Sequence, residues 1–419
     1  MKKVMMTVIA GILFPLLLVP VQGQEKEIKK TEQLSPDEKK AEQIGHTPAI
    51  VSVITAEDIR KMGTTSLYEV LSYVPGIDVT ETYFGHTSVS VRGNLQTHYN
   101  NKTLLLINNH PLYESVNGSF YLEQIPLNLI KRIEIIRDPG STLYGTNAYA
   151  GVIKIITWEG ADLKGGTANA QYGIFSSLDG GLVLGGKSGD FQFSAGTTVT
   201  DSKGYDYRVK TDEDGRSQTI KYKNDFANVM GSVSYRGLSL NFGYFHNTKD
   251  KFGLVPTLVS SGEKVQRGFF LDASWQCQVA AKMSMKLLTY YDSLDMNADI
   301  GWYPPSYALQ QAGIGEHEKA ESSGAKMGVD LRASYAPASG FNLVGGLAYE
   351  YQKTDPYTFL NFDTGAISSF QSSPWLENHS TYDFSGYFQL DARLSEKWGL
   401  VGGLRYNYNQ DYGLRVQTS

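Results

Sequence analysis

Residues 131–157, KRIEIIRDPGSTLYGTNAYAGVIKIIT, read as two β-strands around a turn-rich connection. Ile133 and Ile135, then Val152, Ile153, Ile155 and Ile156, are β-branched side chains that suit a pleated, mostly buried sheet. Between them Asp138-Pro139-Gly140 fixes φ at the proline and permits positive φ at the glycine. Tyr144-Gly145-Thr146-Asn147 repeats that turn chemistry. Strands this apolar need cover, so the segment predicts a compact domain built around it.

Upstream, related runs stand in order: VSVITAEDI at 51–59, LYEVL at 67–71 leading into VPGI at 74–77, VSVRG at 89–93 and LLLIN at 104–108. With 131–157 they span about a hundred residues, a far more specific signal than one short pattern. Together they resemble the plug domain of TonB-dependent outer-membrane receptors. Asp138 departs from the glycine usual in that family and Lys154 from its Asn or Ser, and neither departure breaks the match. The resemblance implies a mixed α/β plug domain over 48–157. Antiparallel transmembrane β-barrel strands would follow over 158–419.

The N-terminus reads as an export signal. Met1-Lys2-Lys3 is basic, residues 4–21 are apolar, and the small Gly23 offers a cleavage point, giving a signal peptide over 1–23. Pro15 and Pro20, and a run shorter than the ~20 residues a spanning helix needs, disfavour a membrane anchor. Residues 24–47 are dominated by Glu, Lys and Gln and read as a solvated periplasmic tether. In the family this zone carries the segment that pairs with TonB by strand addition. No clean copy of that segment stands out, and a plain linker is the competing reading.

Composition points the same way. The chain has 419 residues with 43 Gly and 27 Tyr against 18 Phe, so glycine exceeds its usual ~7%. After the signal no stretch is long and apolar enough for a spanning helix. An exported chain of this kind suggests strands crossing an outer membrane. A net charge of −5 gives no pull toward nucleic acid. The single Cys277 excludes an internal disulfide and has no metal-ligand company.

Within the plug, Thr55 and Asp58 have the spacing of a capping box, and the helix they start ends near Gly63. A second helix begins at Thr65 or Ser66, presents Leu67, Val70 and Leu71, and stops before Pro75-Gly76. Strands follow at 77–80, 88–92 and 104–107. The connections 81–87, 94–102 and 112–121 carry Tyr83, Phe84, His86, His98, Tyr99, Tyr113, Phe120 and Tyr121. The resemblance implies that these apices meet ligand, and stiff, half-polar aromatics suit a flat or chelated solute. Packing against the barrel wall explains the same residues. His86 and His98 lack nearby carboxylates, so no metal site is assigned. The resemblance also implies that Arg92, Arg132 and Arg137 pair with barrel acids and hold the plug, a task suited to bidentate guanidinium.

From Trp158 onward apolar residues alternate with polar ones. Leu238, Leu240, Phe242 and Tyr244 share one side, as do Phe269, Leu271, Ala273, Trp275, Cys277 and Val279. The pattern recurs at Met327–Tyr335, Phe341–Tyr349 and Trp398–Tyr408. Period two over about ten residues is the lipid-out, lumen-in signature of an outer-membrane strand. Connections alternate between short (187–190, 236–237, 280–282, 337–340, 395–397) and long (201–220, 247–266, 296–321, 354–381), matching periplasmic turns and external loops. The count is about eleven strands, with an external loop expected from Gln410. Plugged barrels have about 22 strands, so the expectation is a partial barrel: a truncation, a split gene or a fragment.

Two further clusters carry weaker signals. Thr211-Asp-Glu-Asp-Gly215 lacks the spacing of a calcium loop and reads as a solvated turn. Gly315-Glu-His-Glu-Lys319 lacks the second His of a zinc-protease helix. No nucleophile–His–acid set or phosphate loop stands out, so an enzyme is not expected, nor is a cofactor. By resemblance the function is import of a scarce bulky solute across the outer membrane, driven by TonB and its inner-membrane complex. The usual cargo is a ferric siderophore or another metal chelate, and no FRAP or NPNL run points to haem. The alternatives are a binding remnant that does not transport, and an open diffusion pore, against which a filled lumen argues.

Overall fold

The computed structural model describes residues 51–81, 87–96, 99–122, 125–137, 140–211, 215–250, 262–301, 317–355, 358–361, 378–393 and 398–418. All fall in one compact unit, Ile44–Ser419. The signal and tether readings therefore lie outside the described residues.

The plug elements follow local sequence rules. β1 (Val51–Thr55) runs into α1 (Ala56–Met62) through a capping box: Thr55 N donates to Asp58 Oδ2 at 2.9 Å and Asp58 N to Thr55 Oγ1 at 3.2 Å. Gly63, at φ 65°, ends the helix in the left-handed region. α2 (Leu67–Ser72) is capped by Ser66 and buries Leu67, Val70 and Leu71. β2 (Ile77–Glu81) and β3 (Thr87–Val91) form a separate antiparallel pair. β4 (Thr103–Ile107), β5 (His110–Pro111), β6 (Ile130–Ile136), the single turn α3 (Ser141–Tyr144) and β7 (Gly151–Thr157) complete the domain.

The main plug sheet has the order β1-β6-β7-β4-β5, with β4 and β7 parallel and the other pairs antiparallel. Period two places Leu105, Ile133, Ile135, Ile153 and Ile155 in the main core with Val70 and Leu71. Leu104, Leu106 and Val152 point to the other face and pack with Tyr113 and Ala148. Both faces are covered, which is why residues 151–157 read as a nearly continuous apolar run. Wall residues Val183, Met230 and Phe270 join the main core, so plug and wall share it.

The wall consists of β8 (Gly165–Tyr172), β9 (Leu178–Ser188), β10 (Phe191–Val209), β11 (Gln218–Tyr235), β12 (Leu238–Asp250), β13 (Glu263–Ala280), β14 (Met283–Gly301), β15 (His317–Tyr335), β16 (Phe341–Thr354), β17 (Thr358–Asn361), β18 (His379–Arg393), β19 (Gly399–Asn409) and β20 (Gly413–Thr418). Among the described residues they form one 13-stranded sheet; β8 and β20 are the ends of its path, and short β17 pairs with β15 off that path. Every pairing is antiparallel. Among the described residues the sheet is not closed. β10, β14 and β15 are 19 residues each, well past the ~9–11 that cross a bilayer.

Alternation sorts the two faces. Leu271, Trp275 and Leu347 on the outer face are 45%, 51% and 53% exposed, whereas Asp272 and Lys326 on the inner face are 1% exposed. Arg236 and Gly237 both have positive φ and make the two-residue turn between β11 and β12. The sequence count stopped one strand early. Asn409 Oδ1 accepts from the backbone N of Asp411 (2.9 Å) and of Tyr412 (3.1 Å), and Gly413 has φ 69°. A tight Asn-initiated turn therefore stands where an external loop was expected, and β20 returns along β19.

Candidate functional site

Where plug meets wall, the structure gathers buried ionisable groups. β4 turns into β5 through Asn108 and Asn109, both at positive φ (49° and 78°), the type I′ geometry that asparagine tolerates. Asn108 Nδ2 donates to Thr157 Oγ1 at 2.8 Å, and Thr157 N donates to Asn108 Oδ1 at 3.1 Å, which ties this turn to β7. The turn carries His110 into the wall, where it is fully buried.

His110 Nε2 lies 2.7 Å from Asp292 Oδ1 on β14, and Nδ1 lies 3.4 Å from Asp272 Oδ2 on β13. Asp272 also accepts from Asn241 Nδ2 on β12 at 2.7 Å. Lys326 on β15 reaches Asp292 Oδ2 at 3.2 Å and donates to the Pro111 carbonyl at 2.6 Å. Its ammonium sits 3.5 Å from the centroid of the Tyr113 ring, a cation–π contact. Tyr113 and Tyr290 both donate their hydroxyls to Glu350 on β16. His110, Lys326, Asp272 and Asp292 are all nearly fully buried, so each depends on the others for polar partners. Burial and the Glu350 carboxylate hold the Tyr113 phenol well above its ordinary value, which keeps it a donor.

Two glycines shape the wall here. Gly243 stands opposite Phe270 and Gly328 opposite Tyr290. A Cβ on either would meet the facing ring at 2.2 or 2.3 Å, so the rings can lie across the neighbouring strand only because these positions are glycine. Those rings flank His110, with centroids at 5.0 and 5.2 Å.

The expected site residues are distributed differently. Tyr83, Phe84, His86 and His98 lie outside the described residues, and Tyr99 is half-buried. Tyr113 and Tyr121 are 6% and 4% exposed; Tyr121 packs with Phe245 and Leu294 of the wall. Both contact the wall, Tyr121 through Phe245 and Leu294 and Tyr113 through Glu350 and Lys326, which is the wall packing that explains the same residues. Phe120 is in the plug core. Gln96 and Asn100, also in the expected apices, are buried staples: Val89 N donates to Asn100 Oδ1 at 2.7 Å and Ser88 Oγ to the Gln96 carbonyl at 2.6 Å.

The three arginines hold the plug together internally. Arg92 Nη1 donates to the Arg137 carbonyl at 2.7 Å, and Arg132 Nε to Glu134 at 2.8 Å. Arg137 donates to Ser52 Oγ at 2.5 Å and to the Pro75 carbonyl. Across the plug–wall interface His110 pairs with Asp272 and Asp292, and Lys326 of the wall pairs with Asp292 of the neighbouring strand while bonding the plug's Pro111 carbonyl. Arg132 lies on β6, Arg137 directly after it and Arg92 directly after β3. No local motif marks the replacement residues. Asp272 was legible only as an inward-facing position of an alternating run.

Glu114, beside Tyr113, accepts from Val116 N at 2.6 Å and Asn117 N at 3.0 Å, but burial pushes its carboxyl up to about 7. A raised acid pKa disfavours the charged form. Plug stability should therefore be highest below about pH 4.5, fall as pH rises from 4.5 through 7, and level off above. At ~1.4 kcal/mol per pKa unit the loss is about 3 kcal/mol. Denaturant unfolding across that window should show the decline in the parent chain and its absence in Glu114→Gln. A decline that persists in the variant would assign it to another group.

Next to the network lies a cleft of about 80 Å³, bounded by Tyr113 and Tyr144 of the plug and by Asp330, Arg332, Glu350 and Arg405 of the wall. Residues 212–214 of the acidic turn lie outside the described residues. Among the described residues no group of three His, Cys, Asp or Glu is arranged to hold a metal.

A small mixed domain seated against the inner face of an antiparallel, outwardly apolar wall defines a plugged receptor of the outer-membrane β-barrel class. Residues 43–152 match the TonB-dependent Receptor Plug Domain family. The vitamin B12 transporter BtuB of Photobacterium profundum is 33% identical over 264 residues, covering 60% of this chain and 41% of that protein. The ferric enterobactin receptor PfeA of Pseudomonas aeruginosa, solved as a G324V mutant, superposes with a TM-score of 0.66 at 17% identity, over 90% of this chain and 60% of that one. The copper transporter OprC gives 0.65 at 15% identity, over 88% and 60%. Residues 43–152 therefore carry the plug domain of the TonB-dependent receptors, and the strands that follow share the fold of the barrels of such receptors. The chain spans about two fifths of the curated relative's length.

Proposed function

We propose that this chain is the plug-bearing part of an importer that captures a scarce, bulky metal chelate at the cell surface and passes it to the periplasm with energy relayed through TonB. The supporting observation is the buried network joining His110 and Lys326 to wall carboxylates. A plug held by desolvated charges does not leave its seat by thermal motion alone, so passage needs work done on it. TonB, pulling on the tether at 24–47, supplies that work; the outer-membrane lipid contacts the apolar outer face, and the solute is the third partner.

A ferric siderophore and a cobalt corrinoid are the two cargo readings, the second favoured by the 33% identity to a B12 transporter. Uptake of radiolabelled cobalamin and of a ferric siderophore by cells with and without the full-length receptor separates them. Collapse of the proton gradient should abolish the accepted uptake. Uptake that survives the collapse would overturn active import and favour passive passage or a binding remnant.

A further inference from the structure

In the cleft between the plug and strands β14–β19, the carboxylates are already engaged. Asp330 accepts from Tyr387 Oη at 2.7 Å and Arg332 Nη2 at 3.2 Å. Glu350 takes the two tyrosine hydroxyls and Gln352 Nε2 at 2.7 Å, and Asp383 takes Asn407 at 2.9 Å and Asn409 at 3.1 Å. Arg332 is likewise committed, to Asp330 and to Tyr387.

Arg405 is the exception. It is 7% exposed, yet among the described residues its hydrogen bonding consists of one bond, Nη2 to Ser385 Oγ at 2.5 Å, and its buried Nε–H has no partner. No carboxylate among the described residues is within ion-pair distance of it. The Tyr387 ring centroid lies 5.2 Å away, and Gly145 of the plug approaches so closely that a Cβ there would sit 2.7 Å from Nη2. A guanidinium has five N–H donors in a fork matched to oxyanions, and leaving them unspent when buried is unfavourable.

We infer that Arg405 is the anion-receiving residue of an internal subsite in this cleft, binding an oxyanion group, carboxylate or phosphate, of a solute between plug and wall. The subsite rests on the import reading for its purpose but not for its chemistry. The plug contributes Gly145, whose missing side chain lets the guanidinium reach the plug surface, and the wall contributes Ser385, which orients it. Movement of the 140–148 turn would therefore alter the anion's seat.

The test is equilibrium binding of citrate to the purified full-length receptor in detergent by calorimetry, with no energising complex present. Arg405→Gln should weaken citrate binding at least tenfold, and Arg405→Lys, which keeps the positive charge but not the fork of donors, should recover only part of it. Crystals of the unaltered receptor soaked in selenate should show an anomalous peak within hydrogen-bond reach of Arg405 Nε, a readout that needs no variant to fold. Equal citrate affinity in Arg405→Gln, or selenate peaks only elsewhere, would overturn the subsite. Either failure leaves energised uptake untouched, and failed uptake leaves the binding result standing.

Discussion

Asp292→Ala is expected to loosen the plug from the wall by about 3–5 kcal/mol, the usual consequence of stripping one partner from a buried ion pair. Asp292 is the hinge of the network, since its two oxygens serve His110 at 2.7 Å and Lys326 at 3.2 Å. Its removal leaves buried His110 and Lys326 without the acceptor they share. Lys326 keeps the Pro111 carbonyl and the Tyr113 ring, which tempers the loss without cancelling it. The readout is leak conductance of the full-length receptor in planar bilayers, which should rise, together with an earlier denaturant midpoint. Asp292→Asn retains an acceptor and should be milder. Arg137→Ala, whose bonds to Ser52 and Pro75 stay inside the plug, should leave conductance near the parent value. Equal leak from Arg137→Ala and Asp292→Ala would return the lock to the arginine.

Ile153→Ala should destabilise the plug by about 2–5 kcal/mol, the range for truncating a fully buried aliphatic side chain. Ile153 lies on β7, in register with Leu105 of β4 on one side and Ile135 of β6 on the other, and all three are wholly buried. Because β4 and β6 fix the backbone on both flanks, the site cannot collapse, so the effect should lie toward the upper end. Equilibrium unfolding of the plug, with hydrogen exchange at the β4, β6 and β7 amides, measures it. A loss below about 1 kcal/mol would mean that the pocket relaxes freely and that β7 is not the centre of the sheet.

The plug was legible because its signals are local. Thr55 and Asp58 formed the expected capping box, Gly63 the expected stop, and the β-branched runs at 133–136 and 152–156 became adjacent strands. The wall was legible because alternation of period two maps directly onto outer and inner faces, as Leu271 and Asp272 illustrate. Strand β20 was missed since the turn at 409–413 depends on one asparagine side chain, which reads like any polar loop start.

The interface was not legible in the same way. His110 follows two asparagines with no motif around it, and Asp272, Asp292 and Lys326 come from three different strands, up to 216 positions away in sequence (326 − 110). Local pattern determined the plug's elements, its family and the strand faces. Which charges meet across plug and wall was decided only when strand register and the type I′ turn at Asn108-Asn109 brought them within a few ångströms. Direct pairing of buried charges depends on that distance and on exclusion of water, and neither is encoded by neighbours along the chain.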